Sequence, residues 1–311
     1  MLSMEAFRVK KNGKTLDYRV GQQLDLDQVS KHFKNRFNVQ KIWQEKRHVV
    51  GWVEKTGKEY FLKLSTTEGI GVRSETEKVW NEEFNKYSNS PQFKVPKNLE
   101  DGHYKGLYYL AMDRFEGPFV CDMEGKNNLI EQNIDRIISL SEHIQSLPLD
   151  IPVNDAIRNP NHQEWFRLKT KSWLDAVPKD AEEYGLGELW ELVNEGANRL
   201  SEKPRHGDFA PWHLIVLPQG KLGLIDGEHS HSHGVENYDI CYFIQRVHTV
   251  LGIPDLALKI FNRLIGRGYD KEKLRTVLTS RAIGGFLDQS FGSNPNYDRE
   301  VEFKSWVLME I

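Results

Sequence analysis

The chain has 311 residues, 39% of them hydrophobic and 28% charged, with a formal net charge of −3 at pH 7. That length favours two lobes or one large domain over a single small core, and the composition excludes a disordered or membrane-embedded chain. Without a basic excess or a run of five or more Lys and Arg, nucleic acid is not an expected partner.

No stretch of about 18 apolar residues is present, so no membrane partner is expected either. The opening MLSMEAFRVKKNGKT lacks the apolar core of a signal peptide, which points to a cytoplasmic protein. Cys121 and Cys241 are far apart and form no C-x-x-C pair, so neither a disulfide framework nor a zinc cluster is indicated. The sequence leaves the oligomeric state open.

Along the chain, Asn12-Gly13 between two strand-like runs predicts an N-terminal hairpin. LDLDQVSKHFKNRF follows, a helix that Asp25 or Asp27 can cap and that buries Val29, Phe33 and Phe37. Residues 38–65 divide into three β-prone runs separated by the polar QEKR and by Thr56-Gly57, and predict three antiparallel strands. ETEKVWNEEFNKYS reads as a helix ended by Pro91 and Pro96, and GLYYLAM as a further strand.

After DRFEGPFV the period becomes helical, clearest in IDRIISLSEHIQSL, where Ile134, Ile137, Ile138, Ile144 and Leu147 stay close to one face. Residues 160–200 and 236–285 read as further helix, with Trp165, Phe166, Trp173, Leu189 and Val193 available for burial. The expected organisation is an N-terminal α+β lobe over residues 1–116 and a mainly helical C-terminal lobe over 117–311.

Between the helical stretches lies RHGDFAPWHLIVLPQGKLGLIDGEHSHSHG, a polar loop feeding a hairpin that ends in a second acid. Asp208 stands two residues after His206, His213 five after Asp208, and Asp226 thirteen after His213. These motifs resemble the aminoglycoside phosphotransferase and choline kinase superfamily, which carries H-G-D-x-x-x-x-N followed by I-D at the end of the next strand. The resemblance runs from about residue 38 to 250 and implies a bilobal protein-kinase-like fold.

It also implies an ATP-dependent phosphotransferase, with GTP as another donor, acting on a hydroxyl of a small molecule such as a sugar, an aminoglycoside or an amino alcohol. Phosphoryl transfer needs mainly positioning and charge neutralisation. By the resemblance, Asp208 accepts or orients the acceptor proton, His206 supports its loop, Asp226 ligates Mg2+, and Asp239 in YDICYFIQRV braces the catalytic loop.

The same resemblance asks for a lysine on the third strand and a glutamate on the next helix, with a hinge that meets adenine through its backbone. Lys63 in YFLKLS fits the first. Among Glu75, Glu77, Glu82 and Glu83, the last shares a face with Trp80, Phe84 and Tyr87, and is the expected partner of Lys63. YYLAMDRFEG resembles the hinge, with Asp113 and Phe115 as backbone contributors and Met112 packing nearby.

Three departures stand out. His213 replaces the asparagine expected at a second metal position, and imidazole suits magnesium poorly. Either Asp226 then carries the metal almost alone, or His213 meets a phosphate, or transfer is weak or lost and a nucleotide- or metabolite-binding protein remains. WQEKRHVVG has no glycine-rich phosphate loop, which leaves Lys46 or Arg47 to supply charge. Finally, His229, His231 and His233 would share one face of an extended chain, either as solvated loop residues, as lining of an acceptor pocket, or as the three-histidine metal site of a hydrolase.

Overall fold

The computed structural model describes residues 5–311, so the first four residues of the expected N-terminal lobe lie outside the described residues. β1 (Arg8–Lys11) and β2 (Lys14–Asp17) form a hairpin turned by Asn12 at φ 50° and Gly13 at φ 77°. Both left-handed angles belong to the Asn-Gly turn anticipated from the sequence. α1 (Leu26–Phe33) is capped by Asp25, whose carboxylate accepts from the Asp27 and Gln28 amides.

β3 (Asn38–Glu45), β4 (His48–Lys55) and β5 (Lys58–Ser65) are the three consecutive strands expected over residues 38–65. α2 (Glu68–Tyr87), β6 (Phe93–Lys94), β7 (Asn98–Tyr104) and β8 (Leu107–Asp113) follow. The strands assemble into an antiparallel sheet of order β3-β4-β5-β8-β7.

Alternation along the strands decides what each face does. Val49, Val53, Leu62, Leu64, Tyr109 and Ala111 pack on Val29 and Phe33 of α1. The intervening Val50, Phe61, Lys63 and Met112 therefore emerge on the opposite face, where they line a cleft.

α2 begins two turns before the helix read from ETEKVWNEEFNKYS. Thr67 caps it by accepting the Ile70 amide. Its first turn carries Gly69, where an added Cβ would lie 2.1 Å from the Asp17 carbonyl oxygen, so the β1–β2 hairpin sits directly on the helix. The poor helix propensity of glycine hides this segment from a propensity reading, although close packing requires it there.

The remaining chain is mostly helical: α3 (Ile130–Ser146), α4 (His162–Leu174), α5 (Leu186–Gly196), then β9 (Glu202–Arg205), β10 (Leu214–Val216), β11 (Leu222–Leu224) and β12 (His231–Val235). α6 (Tyr238–Gln245), α7 (Pro254–Gly266), α8 (Lys271–Gln289) and α9 (Asp298–Met309) complete it. The isoleucine stripe of α3 is buried as its period predicts, with Trp165, Phe166, Trp173, Leu189 and Val193 in the same core. β10 and β11 form the anticipated hairpin, β11 adds β6 in parallel, and β12 pairs with β9. Among the described residues no helix is long and apolar enough to cross a membrane.

Candidate active site

The alternation of β5 places Lys63 in the cleft, almost fully buried, among three carboxylates. Its Nζ lies 2.7 Å from Glu77 Oε2, 2.5 Å from Asp226 Oδ1 and 3.1 Å from Glu228 Oε2. Burial alone would favour the neutral amine, but Asp226, Glu228 and Glu77 overcome it and hold the Lys63 pKa well above its ordinary value. Burial in turn raises Glu77 to about 7, against the opposing pull of Lys63.

The partner of Lys63 is thus Glu77, not the expected Glu83. The apolar stripe of Trp80 and Phe84 continues backward to Glu77, three residues before Trp80, and the early start of α2 brings that turn beside β5. Glu83 lies about 9 Å farther along the helix axis, where it accepts from Lys86 and from the Asp150 amide. Glu82 is near Lys78, also away from Lys63.

The H-G-D motif of residues 206–208 is fixed from below. Asp239, in the first turn of α6, accepts the His206 amide at 2.8 Å and the Gly207 amide at 2.9 Å. Burial raises Asp239 to about 6 although both amides favour its carboxylate. Gly207 has φ 84°, and a Cβ there would lie 2.3 Å from the His229 carbonyl oxygen, so the turn requires glycine. His206 is fully buried edge-on to Trp80 at 5.2 Å between ring centroids. Burial lowers it to about 4, which leaves a neutral packing residue.

Asp208 opens toward a second cleft and is oriented by Tyr242, whose hydroxyl donates to Oδ1 at 2.6 Å. Arg246 donates to the same phenol oxygen at 2.7 Å and is anchored on Asp288 at 2.5 Å. Burial raises the Asp208 pKa, but His213, His229 and the Tyr242 hydrogen bond outweigh it, so Asp208 is a carboxylate. Asp239, Tyr242 and Arg246 share a face at helical spacing. Tyr242 and Arg246 were missed because only the aspartate of YDICYFIQRV carries the family resemblance.

Asp226 follows β11 in the left-handed conformation (φ 67°, ψ 49°), which Asp tolerates better than most residues. Gly227 after it has no room for a side chain, since a Cβ would lie 2.2 Å from the Trp80 ring. α2 therefore packs directly on the turn that bears the acid. Glu228, two residues beyond Asp226 in LIDGEHS, was also missed. It is fully buried and accepts from Arg47 at 2.5 Å, an interaction that with Lys63 overcomes burial and keeps it ionised.

His213 donates from Nδ1 to the Asp208 carbonyl oxygen at 2.8 Å and places Nε2 3.5 Å from Asp226 Oδ2. Burial favours the neutral ring, but Asp208 and Asp226 together raise its pKa. Ligand atoms of Asp208, His213 and Asp226 all lie within 4.8 Å of one another, as do those of Glu77, Asp226 and Glu228. Carboxylate oxygens suit a hard divalent cation, and the imidazole nitrogen is the misfit in the first set.

The first cleft, about 630 Å³, runs from this charge cluster to the end of β8. Val50, Phe61 and Met112 line it from the sheet, and Ile215 and Ile225 from the β10–β11 hairpin. Asp113 and Phe115 also line it, but the Asp113 amide is given to the Lys97 carbonyl and its carboxylate to Lys58. That amide is thus not available to a base. Arg47 of the β3–β4 turn lines both clefts, its charge committed to Glu228.

The three histidines do not assemble. His231 is buried against Trp165, His229 lies edge-on to Tyr18, and exposed His233 meets Glu202 at 2.5 Å. β12 pairs with β9 through a bulge, so the extended, single-faced strand assumed for HSHSHG does not form. Among the described residues no metal-competent cluster includes any of them.

The lysine–glutamate pair, the braced H-G-D loop and the acid after the following hairpin sit in a protein-kinase-like α+β fold. Solved structures share it. Aminoglycoside phosphotransferase APH(4)-Ia is 15% identical, covering 91% of this chain and 96% of its own, at a TM-score of 0.66. Choline kinase LicA from Streptococcus pneumoniae is also 15% identical, covering 91% and 97%, at 0.57. Spectinomycin phosphotransferase APH(9)-Ia, in complex with ADP and spectinomycin, is 11% identical, covering 91% and 94%, at 0.56. No protein-family model matches the chain, and no curated protein sequence does.

Proposed function

We propose that this protein is an ATP-dependent phosphotransferase that moves the γ-phosphoryl group to a hydroxyl of a small molecule. The observation that carries this reading is the meeting of two clefts at one acid cluster: Asp226 and His213 line both, Lys63 and Glu77 the first, and Asp208 the second. A nucleotide in the first cleft and an alcohol in the second would bring donor and acceptor together where these side chains converge.

In this reading the apolar end of the first cleft holds the base, and Lys63, positioned by Glu77, binds its phosphates. Asp208 receives the hydroxyl proton as the acceptor oxygen bonds to the γ-phosphorus and the bond to the β-phosphate oxygen breaks. Asp226, with Glu228 nearby, would hold Mg2+, which neutralises phosphate charge when bound. Asp239 and Tyr242 keep the loop and its carboxylate in place.

A second reading rests on His213 alone, whose Nε2 faces Asp226 where an oxygen ligand is expected. It makes the protein a weak or inactive relative that binds nucleotide or metabolite. ATP consumption across a panel of alcohols and sugars, measured alongside stabilisation by Mg-ATP, separates the two. Stabilisation with turnover supports transfer, and stabilisation with no turnover of any acceptor supports the second reading.

A further inference from the structure

Residues 5–19 are bonded to both lobes, a tie that the phosphotransfer reading does not use. On the N-lobe side, Val9 and Tyr18 pack on Ile70 and Val72 of α2, and Arg47 donates to the Tyr18 carbonyl oxygen at 3.3 Å. On the C-lobe side, β1 gains a partner along its other edge. The Lys10 amide donates to the Asn154 carbonyl oxygen at 2.8 Å, and the Arg8 carbonyl oxygen accepts the Ala156 amide at 2.9 Å. Lys169 of α4 donates to the Ala6 carbonyl oxygen at 2.9 Å, and Ala6 belongs to the core that holds Trp165 and Phe166.

The two ends of the segment also hold each other. The Tyr18 amide donates to the Phe7 carbonyl oxygen at 3.1 Å, and the Tyr18 hydroxyl donates to that of Ala6 at 3.3 Å. The buried Tyr18 ring lies 4.1 Å from the Arg73 guanidinium and edge-on to His229 at 5.7 Å, so it bridges α2 and the turn after Asp226. Rotating one lobe away from the other would strip these polar groups of their partners, and that cost keeps the segment in place.

The same segment forms part of the second cleft, about 800 Å³, in which Asp208 lies. Phe7, Tyr18 and Arg19 line it, and Phe291, in the turn between α8 and α9, lines it from the C-lobe. Phe291 is 39% exposed, which places it at the rim. There the two sides meet: Phe7 and Phe291 stand edge-to-face at 5.2 Å between ring centroids, and the Arg19 guanidinium lies 4.3 Å from the Phe291 centroid. Ring and cation–π contacts of this kind join the N-terminal segment to the C-lobe across the rim. We propose that residues 5–19, with Phe291 opposite them, are the acceptor-specificity element of the second cleft, a fixed wall that decides by size which alcohols reach Asp208. Its role toward an acceptor rests on the phosphotransferase reading, whereas the restricted access to Asp208 stands on these contacts alone.

Access is measured by thiol labelling, which needs no nucleotide. Cys121 and Cys241 are both buried, so Asp208→Cys supplies the reactive thiol. S-methyl methanethiosulfonate is compared with its larger benzyl analogue, each rate normalised to that with free cysteine. The normalised benzyl rate should be at least tenfold below the methyl rate. Adding Phe291→Ala should raise the benzyl rate at least fivefold and change the methyl rate less than twofold. Arg19→Ala should act in the same direction, and it replaces Phe291→Ala if that variant does not fold. Equal normalised rates in the parent, a benzyl rate that neither variant changes, or equal acceleration of both reagents overturns the proposal. Residue-resolved hydrogen exchange tests whether the wall is fixed: the Lys10 and Ala156 amides should exchange at least a hundredfold slower than in an unstructured chain, and exchange at the unstructured rate also overturns it. Absence of ATP turnover with every acceptor would count against the phosphotransferase reading and leave the labelling result standing.

Discussion

Tyr242 donates its phenol hydrogen to Asp208 Oδ1 at 2.6 Å, and Arg246 holds the phenol oxygen from behind. The acid proposed to receive the acceptor proton is therefore aimed by a neighbouring helix as well as by its own loop. A hydrogen bond to a charged group contributes roughly 1.5–3 kcal/mol, so Tyr242→Phe should lower kcat by about tenfold or more. The acid limb of the kcat/KM profile should also move to higher pH, because loss of the donor raises the depressed pKa of Asp208. A pH–rate profile of the variant checks both, and an unchanged acid limb would separate Tyr242 from Asp208 function.

Glu77→Gln should weaken Mg-ATP binding by about tenfold or more, through loss of a buried charge partner of Lys63. Glu83→Gln, at the site favoured by the sequence, should change it less than twofold, since Glu83 meets Lys86 and the Asp150 amide rather than Lys63. Calorimetric titration of both variants with nucleotide compares them directly. Equal losses would contradict the assignment of Glu77.

That contrast shows what was legible in the sequence. Periodicity located the sheet, the isoleucine stripe of α3 and the hairpin that carries Asp226, because each depends on local alternation. The glutamate was misassigned because Glu77 and Glu83 both lie three residues from Trp80, and which of the two turns sits beside β5 is set by tertiary packing, including the close approach of Gly69 to β2 and of Gly71 to Tyr108. Glu228 was invisible for another reason: its place in the cluster depends on partners such as Arg47 and Lys63, which are distant in sequence. HSHSHG forms no three-histidine face because a β-bulge against β9 breaks the alternation it needs, while His229 lines the second cleft, as the pocket-lining alternative anticipated for it.

Gly227→Ala should destabilise the protein by about 1–3 kcal/mol, the usual cost of overpacking. Its Cβ would lie 2.2 Å from Trp80 Cδ1. Because the same contact seats α2 on the turn bearing Asp226, nucleotide affinity should fall with stability. Denaturant unfolding and nucleotide titration report the two effects, and wild-type values in both would remove the packing argument.

Glu300, near-buried in the first turn of α9, is raised by burial to about 7 from an ordinary 4.5. A raised carboxyl contributes stability that is fully present below its unfolded value and is lost as pH rises through its folded value. Glu300→Gln should therefore match the wild type near pH 4.5 and exceed it above pH 7, by up to a few kcal/mol. Melting temperatures at pH 5 and pH 8.5 test the sign. A wild type more stable than the variant at pH 8.5 would refute it.

His213 is the residue whose replacement should improve the site. His213→Asn exchanges a nitrogen facing Asp226 for an amide oxygen, and should lower the Mg2+ concentration needed for half-maximal activity several-fold. An unchanged metal requirement would mean that His213 is not a neighbour of the bound metal.

The central claim is that Asp208 takes the proton of an acceptor hydroxyl beside a nucleotide held by Lys63 and Asp226. It is tested most directly with Asp208→Asn, comparing phosphoryl transfer from γ-labelled ATP with Mg-ATP affinity in the same preparation. The account predicts that transfer falls by at least a thousandfold while affinity stays within about threefold. Undiminished transfer, or transfer and affinity lost together in a folded protein, would contradict it.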